Sequence, residues 1–259
     1  MGHPGAPNHD HHRSIWIGHH RVAGNDFWSD TNDTSIRQKM WNCYLDGDEA
    51  IMAATCSWVN NEQVEVAEQQ IVAALIPMEN QEHGLEIQLR IQPPPGNTSL
   101  VIDKTNFGFL AIRVAKSISA VFGGGTISNS EGLESEKNVF GKRAKWVDYS
   151  GPIASGRDQN RKLVTEGITC FDHPSNPRYP THWHVRDDGW MGASFCMQQG
   201  IIVDIKKPLV LRYLLHAHSG SYSQSKAEDV HENFSRSHGF VLSKSSRAHH
   251  EFEIERLEN

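Results

Sequence analysis

Apolar and polar residues alternate with a period of two along much of the chain, most cleanly over Gly84–Gln92. Leu85, Ile87, Leu89 and Ile91 fall on one side, and Glu86, Gln88, Arg90 and Gln92 on the other. Successive side chains of a strand point to opposite faces, so this pattern predicts a half-buried antiparallel strand. Apolar runs of strand length recur at Ser14–Gly18, Met40–Leu45, Ala50–Val59, Ser99–Ile102 and Phe107–Val114. Others follow at Leu163–Phe171, Phe195–Met197, Ile201–Ile205 and Leu209–Leu215. Val64–Leu75 fits either period, and its β-branched residues and strand neighbours assign it to a strand. Asp46-Gly47-Asp48-Glu49 closes a hairpin, and Pro93-Pro94-Pro95-Gly96-Asn97 ends a strand.

The segment Gly123–Asn138 is Gly-, Ser- and Glu-rich and reads as loop. Its glycine run lacks the Lys-Ser/Thr of a phosphate loop. Val139–Tyr149 reads as extended, with Arg143, Lys145 and Val147 on one face and Ala144, Trp146 and Asp148 on the other. Gly151–Arg161 reads as an exposed turn. Helix is signalled only after Ser223, with Ser225 capping a run to Phe234, and the charged end from Ser246 reads as frayed. Many short strands between Gly/Pro/Asn turns predict an all-β fold, a large antiparallel β-sandwich forming one domain over residues 1–259.

Composition narrows the class. A chain of 259 residues can bury one full core. No apolar run approaches the roughly 18–20 residues of a membrane helix, so a soluble chain without a membrane span is expected. Met1 is followed by GHPGAPNHDHH, which is not a secretory leader. The chain as it stands reads as cytoplasmic, and as periplasmic or secreted if a leader is missing. A net charge of −6 gives no basic footprint for nucleic acid. Cys43, Cys56, Cys170 and Cys196 show no C-x-x-C spacing and read as free thiols in preference to a Cys43–Cys56 disulfide.

The 16 histidines are the compositional oddity. Gly167–Trp190 gathers Asp172, His173, Arg178, His182, Trp183, His184 and Arg186 around Pro174, Pro177 and Pro180. Prolines fix φ, and a loop stiffened this way holds chemistry at little entropic cost. If Thr181–Val185 is extended, His182 and His184 share a face. They could be two metal ligands with a third from His11, His12 or His173, and His216-x-His218 is a competing pair. Two histidines do not complete a site, so no metal or cofactor is assigned.

Acid–base chemistry needs less. His173 or His184 would serve as acid or base, with Glu131 as the opposing carboxylate. Arg13, Lys142 and Arg186 would hold substrate oxygens, and His12 would line the pocket. Trp16, Trp146 and Trp183 would offer the flat apolar platforms that sugar rings pack on, unless they are core. The pocket would then join His11–Trp16 to Gly167–Trp190.

The blocks HDHHRSIW, GHHRVAGNDFW, FLAIRVA, NSEG, GKRAKWVDYSG and GITCFDHPSNPRYPTHWHVR occur in this order. Together they resemble a soluble bacterial PmoA-like family, often titled "methane oxygenase PmoA". The resemblance covers nearly the whole chain. It implies a β-supersandwich like that of galactose mutarotases, and a carbohydrate-directed role as an epimerase, lyase or hydrolase. A non-catalytic carbohydrate-binding sandwich is the alternative, and the family title suggests a third, a metal-dependent oxidase or oxygenase. Members of that family usually carry further β-rich sequence before the DHHRS block, so this chain reads as N-terminally short. An open edge left that way would favour a homo-oligomer.

Overall fold

A computed structural model describes residues 9–257. Two antiparallel sheets face each other. The larger has eight strands in the order β2 (Ser35–Leu45), β3 (Ala50–Val59), β4 (Glu65–Pro77), β5 (His83–Gln92), β14 (Leu209–Ser219), β10 (Lys162–Asp172), β9 (Trp146–Ser155) and β8 (Thr126–Asn129). The smaller runs β1 (Ile15–His19), β7 (Gly108–Arg113), β12 (Trp190–Ala193) and β11 (Trp183–Arg186). β6 (Ser99–Ile102) and β13 (Ile201–Asp204) pair as a separate two-stranded ribbon. This is the all-β antiparallel sandwich expected. Among the described residues no helix is long and apolar enough to cross a membrane.

The period-two pattern explains the layers. Ile87, Leu89 and Ile91 of β5 join Leu211 and Tyr213 of β14 on the inner face of the large sheet. Against them pack Leu110 and Ile112 of β7, Trp183 and Val185 of β11 and Met191 of β12. The alternate residues of the large sheet face outward under two late elements. Trp146, Phe171 and Leu214 bury against Ala227 and Phe234 of helix α2 (Gln224–Arg236). Ala53, Val72 and Ala74 bury against a ribbon of β15 (Phe240–Lys244) and β16 (Phe252–Arg256).

Several boundaries differ from the sequence reading. β9 begins at Trp146 and runs through Ser155, inside the expected turn, whereas Glu136–Val139 is a short helix, α1. The expected loop also contains β8. Phe195–Met197 is turn, because the strand of that region is Trp190–Ala193. The C-terminal end is not frayed: β16 pairs with β15. Ser223 caps α2, its hydroxyl accepting from the Lys226 N–H. All four cysteines are free.

Candidate functional site

Register defines one row across the smaller sheet. Trp16 stands opposite Ala111, Ala111 opposite Gly192, and Gly192 opposite His184. Directly paired residues project to the same side, and the neighbours of this row, Ile112, Met191 and Val185, face the core. Trp16 and His184 therefore lie on the outer face, three strand spacings or roughly 14 Å apart along the backbone. The small residues between them leave room for indoles. A Cβ on Gly192 would come within 3.2 Å of the Trp190 ring, and one on Gly18 within 3.6 Å of Trp28.

Three tryptophans meet there. Ring centroids lie 5.8 Å apart for Trp16–Trp28 and Trp16–Trp190, and 5.7 Å for Trp28–Trp190. His12 stacks on Trp16 at 4.7 Å, and His184 lies 4.3 Å from Trp190. Phe107 and Phe140 flank His184 at 5.0 and 4.8 Å. Buried Arg113 donates from Nε to the His12 carbonyl, which fixes the segment that carries both His11 and His12.

Backbone carbonyls set the tautomers. His12 Nε2–H donates to the Trp28 carbonyl at 2.9 Å, and His184 Nδ1–H to the Asn106 carbonyl at 3.0 Å. Each ring therefore keeps a lone pair on its other nitrogen. Burial, reinforced by the neighbouring His11, lowers His12 to about 4, and burial against the Asn106 bond lowers His184 to about 4. Both are neutral acceptors at pH 7.

Beside this face a cleft of about 230 Å³ opens between β1 and the Trp28–Ser35 segment. His11, His12, Trp16, Trp28 and Asp30 line it. His11 Nδ1 lies 3.2 Å from Asp30 Oδ2, and neither His11 nitrogen makes a hydrogen bond among the described residues. A histidine and a carboxylate thus face each other at the cleft.

The structure brings together four of the residues singled out from sequence: His11, His12, Trp16 and His184. Arg186 lies opposite Trp190 on the same face, exposed and 3.4 Å from Glu136. His173 does not join them. It sits on the outer side of the large sheet, where Arg212 Nη1 lies 2.9 Å and the Phe234 carbonyl 3.1 Å from Nε2, and Ser175 engages Nδ1. Its contacts share no residue with those of His184. Glu131 is exposed on the turn after β8, where Ser130 donates to it, and among the described residues it makes no hydrogen bond or ion pair with either histidine. Arg13 and Lys142 are exposed, and Arg13 donates to the Asp10 carbonyl. Trp146 and Trp183 are core, with indole N–H groups given to the Tyr222 hydroxyl and the Ala144 carbonyl.

Sequence reasoning missed Trp28, Asp30 and Trp190. The NDFWSD stretch that holds the first two was visible as an aromatic between acidic residues, but nothing local ties it to β1. No three His, Cys, Asp or Glu side chains gather to hold a metal ion among the described residues. His216 and His218 each take a carboxylate instead, Glu82 and Asp148, both at 2.8 Å.

The class these features define is an antiparallel β-sandwich with an aromatic and histidine-rich outer face on its smaller sheet. The chain belongs to a family of unknown function, DUF6807, whose profile matches residues 2–232. No curated protein and no solved structure matches it.

Proposed function

We propose that the cleft beside the tryptophan cluster takes a carbohydrate and does acid–base chemistry on it. One observation carries this reading: His11 and Asp30 face each other at 3.2 Å in a cleft walled by Trp16 and Trp28. Indole faces suit the C–H faces of a sugar ring. The histidine–carboxylate pair can accept a proton from a hydroxyl or ring carbon and return it. His12, neutral and with a lone pair on Nδ1, lines the cleft and is suited to accept from a sugar hydroxyl. In this reading Asp30 takes the role that sequence gave to Glu131, and His11 that of His173. The PmoA-like resemblance and the mutarotase-like supersandwich belong to the same proposal, with the whole chain acting as one domain. The oxidase or oxygenase reading would need a metal donor set, and no three His, Cys, Asp or Glu side chains gather into one among the described residues.

A non-catalytic carbohydrate-binding sandwich is the second reading. It is favoured by the exposure of Asp30 at 58%, which leaves the carboxylate largely in water. One experiment separates the two: a panel of monosaccharides and glycosides followed by calorimetry for binding and by NMR for product. Turnover that Asp30→Asn lowers by about 10²–10⁴-fold supports the enzyme. Binding without turnover, lost in Trp28→Ala, assigns the binding module. Neither binding nor turnover would sink both.

A further inference from the structure

A second cavity lies on the opposite side of the molecule. It is a groove of about 870 Å³ between the end of α2 and β15, floored by the outer face of the large sheet. That volume falls within the roughly 300–1,000 Å³ of small-molecule sites. Register puts Gln70, Arg90 and Val210 in one row across β4, β5 and β14, so Arg90 stands at the centre of the floor. Arg236, in the last turn of α2, lines the same groove.

The charge balance here is one-sided. Among the described residues no Asp or Glu lines the groove. Arg212 is already committed: it is buried, bonded to Glu86 at 2.6 Å, and gives its remaining N–H groups to His173, Ser237 and His238. Arg90 and Arg236 differ. Arg90 donates to the side-chain carbonyl of Gln92, and Arg236 to Asn233 at 2.8 Å, both neutral partners. Neither is in an ion pair among the described residues, although the chain as a whole carries −6. Arg90 is half-buried, where a cation without a counter-charge attracts an anion more strongly than it would in open water. Ser175 and Ser235 add hydroxyls, and Val241, Leu242 and Leu257 make an apolar wall.

We propose that this groove binds a small organic oxyanion, a carboxylate or a phosphate ester. Arg90 and Arg236 would bind the charged group, and the apolar wall would cover the body of the ligand. The proposal does not depend on the carbohydrate reading of the distant cleft. The test is titration calorimetry of the full chain at low ionic strength with inorganic phosphate, glucose 6-phosphate and glucuronate, and with glucose as the neutral probe. At least one anion should bind, and Arg90→Gln and Arg236→Gln should each weaken it about tenfold, the loss of one charge-assisted contact. Raised salt should weaken it further. Phosphate-ester binding alone, or glucuronate binding alone, names the oxyanion. No heat from any of the three anions, or an affinity unchanged in both variants, overturns the proposal. Glucose that binds while no anion does would overturn it and leave the carbohydrate reading standing.

Discussion

Arg212 and Glu86 show what a single buried pair does in this fold. Glu86 is fully buried on the outer face of β5 and accepts from Arg212 and from Arg256, the latter at 2.8 Å. Arg212 in turn holds His173 and the Ser237–His238 backbone, so it ties β14, the proline loop and the chain after α2 together. Deleting one member of such a pair strands the other, which costs more than the pair contributes. Arg212→Met should therefore lower stability by about 3 kcal/mol, the low end of the usual range because Arg256 still faces Glu86. Urea unfolding measures this. Arg90→Gln, two residues along β5 from Gln88 and without an ion pair, should stay within about 0.5 kcal/mol of wild type. Equal losses in the two variants would refute the distinction between a structural arginine and a binding one.

At the level of elements, the late ribbon has a larger role than its composition suggests. Phe240 and Ile254 cover Ala53, Val72 and Ala74, and Gln88 both accepts from Phe240 N–H and donates to its carbonyl. Removing the chain from residue 238 onward would expose that face and take Arg256 from Glu86. Burial of two such side chains stabilises by about 3–6 kcal/mol, a large share of the roughly 5–15 kcal/mol of a whole domain. The truncated chain should be unfolded or insoluble by circular dichroism, and a melting temperature close to that of the full chain would contradict this. The ribbon was illegible because its strands are only five residues long: FVLSK of β15 does not alternate, and FEIER of β16 alternates over too few positions to stand out in a charged end. Gly84–Gln92 was legible as a strand from its alternation, but it is not half-buried as that pattern predicts: Glu86 and Gln88 on its polar face are buried beneath Arg212, Arg256 and the ribbon. Val139–Tyr149 misled only at its start, where Glu136–Val139 is helical and Gly141 takes a positive φ; from Trp146 on the expected alternation holds, with Trp146 and Asp148 on one face and Val147 on the other, and His218 and Thr169 satisfy the buried Asp148. The site divides the same way. His12, Trp16 and His184 sit in conspicuous aromatic and histidine blocks. Trp190 joins them only through the register of four strands, and Asp30 only through the fold of the segment after β1.

For the whole molecule, the buried histidines make acid stability the sharpest expectation. Burial lowers His12, His173 and His184 to about 4 and His19 to about 3, against 6.5 in the unfolded chain. The folded state keeps these rings neutral, so their contribution is complete above pH 6.5 and is lost as pH falls toward 4. At about 1.4 kcal/mol per pH unit, His19 and His184 are each worth on the order of 3–5 kcal/mol, and His12 and His173, closer to solvent, less. Asp172 acts in the opposite direction. Burial raises it to about 7, even though Asn176 and the Thr181 N–H bond to it, so its protonated form favours folding and its contribution is lost as pH rises through 7. The lowered histidines outnumber this one raised carboxyl, and burial lowers His182, His216 and His231 in the same direction. The melting temperature should therefore fall steeply between pH 6.5 and 4.5, with unfolding before all four rings are protonated. His19→Leu tests the assignment, because His19 packs on Phe109 at 4.7 Å and its buried Nε2 has no hydrogen-bond partner among the described residues. That variant should show a shallower slope of melting temperature against pH over this window. A slope unchanged in His19→Leu, or a wild-type melting temperature flat to pH 4.5, would show that the buried rings do not control acid stability.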